Sequence, residues 1–268
     1  MARTKIATCC SRFRTKRQST VIQGGVRYTL ASRADSMRPR QPNPLEVPNY
    51  TIEEAARYLH ILPSKLRYWV IGDEDSAPLT TIYSHKPMLL SFKNLVECFV
   101  LESLRHAHNV SLQGIRHGVE ELRREKPSKY PLADYDLSTE KTKRGVTIYL
   151  EDKGVGTTHL VNLRAGGQQV FNFLQPWLRR VERNTHGIAQ RLFPFTRKEY
   201  LNAPANAPQF VVIDPTVSFG MPVLVDSRIS TAFLLSRKNG GATIPQLAND
   251  YGRLEAEIEE AIKIEQAA

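Results

Sequence analysis

The sequence predicts a mainly α-helical protein with small β elements. Apolar residues recur at helical spacing in several stretches, clearest over Ile52–Leu59, Phe92–Leu104, Leu112–Leu122 and Leu254–Ile262. Between them lie short alternating runs, such as Val146, Ile148 and Leu150, each bounded by turn residues; these suit hairpins rather than broad sheets. The chain has 268 residues, 41% of them apolar, enough for a real core in two or three small domains. The expected layout is a disordered basic tail at 1–48, a first helical domain at 49–126, a small central α+β region at 127–207 and a C-terminal three-helix domain at 208–268.

No apolar run approaches the ~20 residues that a membrane helix needs, so no membrane span is expected. The cysteines, Cys9, Cys10 and Cys98, form neither zinc-ligand spacing nor a disulfide framework, which points to a reducing cytoplasm. The formal charge of +10 invites a nucleic-acid partner, but its distribution matters more. It is +8 over 1–50, zero over 51–126, +5 over 127–207 and −3 over 208–268, so most of the basicity is in the tail. Residues 1–48 are rich in Arg, Ser, Thr and Pro without periodicity, the composition of a disordered segment. Other readings of the tail stay open: an organellar transit peptide, a start at Met37, or a nucleic-acid-binding arm.

In TIEEAARYLHILPSKLRYWV, residues 51–70, two helical patterns lie three residues apart. Ile52, Ala55, Ala56 and Leu59 share one face, while Glu53, Glu54 and Arg57 lie outside it. Thr51 and Glu54 have the spacing of a capping box. His60, Ile61 and Leu62 form the turn, and Pro63 suits the first position of the second helix. Leu66 and Trp69 or Val70 turn inward, which leaves Ser64, Lys65, Arg67 and Tyr68 outward. That is helix-turn-helix design, in which the second helix enters the major groove of DNA. Lys and Arg reach phosphate or guanine, and a tyrosine hydroxyl can fix a phosphate. Beyond it, Ser84-His85-Lys86-Pro87 sits between apolar pieces and reads as a hairpin wing with a basic tip at His85 and Lys86. Ser91 then caps a helix to about Ala107, and Ser111 caps another to about Arg124. The expected DNA-contacting residues are Ser64, Lys65, Arg67, Tyr68, His85 and Lys86.

Residues 49–126 resemble the MerR-like winged-helix domain, through TIEEAARYL, LRYW and SLQGIRHGVEEL after the wing. Two positions depart from that pattern. His60 stands where a glycine usually takes positive φ, and Leu62 stands where a polar N-cap usually precedes the proline.

In the central region, 127–144 reads as a polar loop, and Val146–Leu150 with His159–Leu163 as a hairpin. Val170, Phe171, Phe173, Leu174, Trp177, Leu178 and Val181 have helical spacing, which Pro176 should break or kink. Arg179, Arg180 and Arg183 read as a solvated face, with a toxin-facing or DNA-backbone patch as the alternative, the aromatics read as core, and RLFPF at 191–195 as a short strand. This region is expected to dimerise or to join the ends of the chain.

In the last segment, Val211–Ile213 forms a buried strand and Gly220-Met221-Pro222 turns the chain into Val223–Val225. Helices follow at Ser230–Lys238, after Thr243, and from Leu254 with Ile258, Ala261 and Ile262 inward. VVIDP, the turn of Ser218, Gly220, Pro222 and Val223, the run Ser227–Ile229 and QLANDYG resemble a short bacterial domain of uncharacterised function found in antitoxins of the VapB type. Together with the first domain they resemble an architecture of actinobacterial VapB-like antitoxins. The resemblance implies a PIN-domain ribonuclease toxin as partner, and autorepression through operator DNA. The acidic last helix, with Glu255, Glu257, Glu259, Glu260 and Glu265, should be repelled by phosphate, so this domain is expected to bind protein, either a toxin or its own dimer mate. Any DNA contact from it should come from Arg228, Arg237 or Lys238.

Asp134 and Asp136 form a D-x-D in a lone loop, and His106 and His108 do not share a helix face. No phosphate loop or nucleophile elbow is present. The expectation is therefore a non-enzyme without cofactor or metal: an antitoxin that acts as a homodimer on a palindromic operator. Two alternatives remain. One is a stand-alone MerR-like regulator whose middle region senses a ligand. The other is a protein-interaction adaptor that does not bind DNA.

Overall fold

The computed structural model describes residues 20–23, 26–29, 42–106 apart from 75, 83 and 86, 112–125, 127–142, 145–152, 156–163 and 175–267. The chain divides into two compact units, Met1–Gln41 and Pro42–Ala268. In the first unit Thr20–Gln23 (β1) and Val26–Thr29 (β2) pair antiparallel, with Thr20 opposite Thr29 and Gln23 opposite Val26. One strand pair thus lies within the expected tail. TVIQ and VRYT are rich in β-branched and aromatic residues and flank Gly24-Gly25, a two-residue hairpin signal. Cys9, Cys10 and Met37 lie outside the described residues.

The second unit is mainly helical with small antiparallel sheets. It opens with α1 (Ile52–Leu59), α2 (Pro63–Ile71) and the hairpin β3 (Ser84–His85) and β4 (Met88–Leu89). Next come α3 (Phe92–His106), α4 (Leu112–Glu125) and the short α5 (Pro131–Asp134). α3 is the central post: Phe92, Leu95, Val96, Phe99, Val100 and Leu104 are all buried, as their spacing predicts. Its start is capped reciprocally, with Asn94 N donating to Ser91 Oγ at 3.3 Å and Ser91 N to Asn94 Oδ1 at 3.1 Å. The Ser111 cap lies outside the described residues.

The stretch 127–144 is not a loop throughout. α5 occupies part of it, and Asp136–Thr142 (β5) pairs with Gly145–Asp152 (β6), which pairs in turn with Gly156–Leu163 (β7). β5 is an edge strand, and DLSTEKT carries one strongly apolar residue, so the alternation that marks a half-buried strand is missing. The D-x-D is structural at Asp134. Its carboxylate meets Lys93 Nζ at 2.8 Å and accepts from Ser128 Oγ at 2.5 Å.

Two further two-stranded sheets follow, linked by an isolated bridge. Val181–Arg183 (β8) pairs with Ala189–Leu192 (β9), and Leu192 bridges to Ile213, beside Val211–Val212 (β10). β10 pairs with Val223–Leu224 (β11). Alternation sends Val211, Ile213 and Leu224 into the main core, and Val212 and Val223 into a small second cluster with Phe193. The helices α6 (Thr231–Asn239), α7 (Ile244–Tyr251) and α8 (Glu255–Gln266) complete the fold. One continuous core runs from Tyr50 and Ile52 through Phe99 and Trp177 to Ile258, Ile262 and Ile264. The three segments distinguished along the sequence therefore share a single interior.

The arginines after Pro176 do not form a solvated face. Arg179 is exposed, but Arg180 is 1% exposed. Its Nε donates to Phe193 O at 2.7 Å, Nη1 to Ala207 O at 3.1 Å, and Nη2 to Pro194 O at 3.1 Å and Pro208 O at 2.7 Å. Its guanidinium also lies 4.3 Å from the Phe195 ring centroid. Arg183 likewise donates to the carbonyls of Leu132, Ala133 and Gly187, each at 2.9 Å. The four carbonyls belong to one Phe-Pro pair, 193–194, and one Ala-Pro pair, 207–208, and the planar fork of an arginine satisfies several at once. The aromatics are core, as expected: Trp177 meets Phe195 edge-on at 4.7 Å and Phe99 at 5.2 Å. Pro176 lies in the helical turn 175–178, and residues 171–174 lie outside the described ones.

Glu97 is a second buried polar hub. It accepts from Leu132 N at 3.2 Å and contacts Thr80 Oγ1, which accepts from Asn94 Nδ2 at 2.9 Å. Burial pushes the Glu97 carboxyl up to about 7 from an ordinary 4.5.

Two outcomes are expected. Arg180→Met leaves four carbonyls, two of them fully buried, without these donors and should lower stability by about 3 kcal/mol or more, read from the urea midpoint. Arg180→Lys should recover only part, because one ammonium cannot span all four. Glu97 is more readily protonated in the folded than in the unfolded chain, so wild-type stability should fall as pH rises from about 4.5 to about 7 and then level off. Glu97→Gln should remove that slope, gaining about 3 kcal/mol over wild type by neutral pH.

Candidate nucleic-acid and partner interface

The first two helices are built as their residues predict. Glu54 N donates to Thr51 Oγ1 at 3.1 Å and Thr51 N to Glu54 Oε2 at 2.9 Å, closing the capping box. His60 takes the left-handed region, φ 54 and ψ 36, and its N–H bonds the carbonyls of Ala56 and Arg57. The strain of a non-glycine residue there is offset by its side chain. His60 Nε2 lies 3.0 Å from Phe195 O, which can only accept, so Nε2 carries the proton. Burial holds the His60 imidazole below its usual range, which keeps it neutral. Leu62 precedes α2 without any side-chain cap and is 69% exposed.

Leu66, Trp69 and Val70 are buried, so α2 presents Pro63, Ser64, Arg67 and Ile71 to solvent. Ser64 is free at the surface, and Arg67 meets Glu53 at 3.4 Å in an exposed pair that contributes little. Lys65 is placed differently. Its Nζ stands 2.6 Å from Glu102 on α3, whose side chain is only 4% exposed, and 4.9 Å from the Trp69 ring. Tyr68 is half-buried, and its hydroxyl accepts from Arg116 of α4 at 3.0 Å. Arg116 also reaches Ala77 O, and Arg123 donates to Leu79 O at 2.9 Å, so α4 clamps the segment between α2 and the hairpin. In that hairpin Ser84 pairs with Leu89 and His85 with Met88. The side chain of His85, and Lys86 altogether, lie outside the described residues. The stripe of Arg116 and Arg123, seven residues apart on one helix face, could have been found in SLQGIRHGVEELRR, but was not.

The acidic last helix is answered from within. Glu260, 5% exposed, meets Arg197 at 2.7 Å and also contacts Thr196. Glu265, 8% exposed, accepts from Thr231 Oγ1 at 2.6 Å and pairs with Arg57 of α1 at 3.0 Å. Glu259 meets Arg197 at 2.9 Å, and Glu257 meets Arg253 at 3.6 Å. Much of that charge therefore holds α8 to its neighbours. Arg228 is exposed, Lys238 is half-buried, and Arg237 pairs with Asp250 at 3.4 Å. Among the described residues, no helix is long and apolar enough to cross a membrane.

Residues 211–263 match the family described as "Protein of unknown function (DUF433)". A Mycobacterium tuberculosis (strain ATCC 25618 / H37Rv) protein, VapB45, is 26% identical over 235 residues, covering 81% of this chain and 93% of its own length; its name marks it as a candidate antitoxin. The chain is similar to an antitoxin-like protein over most of its length. The crystal structure of Rv2018 from Mycobacterium tuberculosis superposes with a TM-score of 0.57 at 21% identity, over 82% of this chain and 99% of that one, which shows a shared fold. The VVIDP, Gly220-Met221-Pro222 and QLANDYG segments all fall in or across the DUF433 match.

The His60 turn yields one expected outcome. His60→Ala keeps the left-handed strain and loses the bond to Phe195 O, and should cost about 1–2 kcal/mol in thermal or urea unfolding. His60→Gly relieves the strain while losing the same bond, and should cost measurably less.

Proposed function

We propose that the chain is the antitoxin of a type II toxin–antitoxin pair. It binds and neutralises a PIN-domain ribonuclease toxin, and it represses its own operon by binding DNA through a winged helix-turn-helix formed by α1, α2 and the β3–β4 hairpin. The observation that carries the reading is the likeness, over 81% of the chain, to a protein named as a candidate antitoxin. In this reading the chain acts by binding alone and catalyses nothing.

The surface of α2 supports the DNA half of the proposal. Its first turn has no side-chain cap, so early backbone N–H groups remain available to a phosphate. Ser64 and Arg67 stand exposed beside them and meet the groove directly. Arg67 exchanges the weak contact with Glu53 for phosphate or a guanine edge. Lys65 and Tyr68 contribute less than their spacing suggests, because Glu102 and Arg116 already engage them. His85 and Lys86 are the proposed wing contacts.

A pull-down of the tagged chain from its native host, followed by mass spectrometry, tests the partner. Recovery of a small PIN-domain protein in near-equal amount is expected. Recovery of the chain alone, still shifting specific DNA, would instead favour a stand-alone regulator. For the DNA half, the logarithm of affinity should fall linearly with the logarithm of salt concentration. Arg67→Ala should weaken binding and flatten that slope by about one. Glu102→Gln, by releasing Lys65, should steepen it by about one. A salt slope unchanged in both variants would move the contact away from α2.

A further inference from the structure

Between α2 and β3 the chain runs through 72–82, where the described residues form no helix or strand beyond one isolated bridge, Asp73 to Ser76. The last six residues, APLTTI at 77–82, carry no charge. They lie on α3 as a strap. Leu79, Thr80 and Ile82 are buried, while Ala77, Pro78 and Thr81 are exposed.

Polar bonds tie the strap down. Leu79 N donates to Trp69 O of α2 at 2.8 Å. Arg123 of α4 donates to Leu79 O at 2.9 Å, and Arg116 reaches Ala77 O. Asn94 of α3 donates to Thr81 O at 2.8 Å and to Thr80 Oγ1 at 2.9 Å. The Thr80 hydroxyl donates in turn to the carboxylate of Glu97.

Glu97 therefore lies directly beneath the strap. It is 1% exposed, and its other bond comes from Leu132 N of α5 at 3.2 Å. Among the described residues no cation is bonded to it. α4 brings Arg123 within electrostatic range, but that guanidinium is turned to Leu79 O. α5 brings Asp134, which opposes ionisation and is itself answered by Lys93 of α3 at 2.8 Å. Cys98, next along α3, is kept a neutral thiol by burial. The strap offers the Thr80 hydroxyl and no charge. A buried carboxylate with neutral donors alone is poorly solvated, so an ionised Glu97 needs water or a cation.

Of the two neighbours bonded to Glu97, the strap is the easier to move. α5 has Leu132 and Ala133 buried, and Arg183 holds the carbonyls of both. The strap has Leu79 and Ile82 as its only buried apolar side chains and no regular structure of its own. Few apolar contacts and an irregular backbone mark a segment that opens locally.

We propose that 77–82 is a proton-operated latch. With Glu97 protonated the strap lies closed on α3; with Glu97 ionised it lifts and admits water and the Arg123 guanidinium to the carboxylate. The strap joins α2 to the β3–β4 hairpin, so the same step loosens the hairpin from the helix. The inference does not rest on the proposed function, but it places a proton switch between the two elements that the DNA reading puts against the groove.

Amide hydrogen exchange of the full chain, corrected at each pH for the intrinsic rate, tests it, with the Leu79 N–H as reporter. Linkage sets the expected size. Protection of Leu79 should fall on the order of a hundredfold between about pH 5 and about pH 8. The fall should not depend on low urea, the mark of a local opening that exposes little surface. In Glu97→Gln the Leu79 amide should stay protected and flat over that range. Protection that does not change with pH in the wild type would overturn the proposal, as would an equal fall in Glu97→Gln. So would a wild-type Leu79 amide that follows the core amides of α3 in urea dependence at every pH, because the strap then opens only with the whole unit. The first and last of these are read from the wild type alone, so the test does not depend on how the variant folds.

Discussion

The guanidinium of Arg180 is the constraint on which the rest of the structure depends. It is buried with a positive charge and, among the described residues, no carboxylate beside it, and burial draws its pKa down to about 10. It remains charged at neutral pH, stabilised by four carbonyl dipoles and the face of Phe195. Those carbonyls belong to 193–194 and 207–208, so one side chain fixes the beginning and end of the connection from β9 to β10. The segment it fixes then holds both ends of the ordered unit. Phe195 O receives the imidazole of His60 at the first helical turn, while Thr196 and Arg197 grip Glu260 on the last helix.

The charges of this chain act mostly inward. Lys65 turns to Glu102, Arg57 to Glu265, Arg197 to Glu260 and Lys93 to Asp134, each across different elements. In three of these pairs the carboxylate is the more deeply buried partner, and in the fourth it is Lys93. Formal charge counted along a segment is therefore a poor guide to the field outside it. The zero of 51–126 and the −3 of 208–268 are sums over groups that largely neutralise one another across the segment boundaries.

Much of the local structure was legible in the sequence because local rules decide it. The Thr51–Glu54 and Ser91–Asn94 caps, Pro63 at the start of α2, and the inward stripe of α3 follow from spacing alone. His60 stood out in the sequence as a departure from the usual glycine; it takes positive φ all the same, and the bond that compensates it comes from Phe195, far along the chain, which no local pattern announces. The strand β5 was missed because edge strands need not alternate, and β1–β2 because a basic composition obscured a short hairpin signal. The arginines were misplaced for a similar reason. A run of them reads as surface unless one knows that proline-rich backbone elsewhere leaves carbonyls in want of donors. Of the proposed contact residues, the sequence placed Ser64 and Arg67 outward, but it could not show that Glu102 and Arg116 stand within reach of Lys65 and Tyr68.

The tie between Arg57 on α1 and Glu265 on α8 bears on how such a chain can change over evolution. The segment that matches a recognised family, 211–263, stops short of Glu265 and shares its interior with Tyr50 and Ile52 at the other end of the unit. Cut out of this chain alone, the segment would bare the faces of Ile258 and Ile262 that now pack in the shared core, and it would lose the Glu265 tie to Arg57.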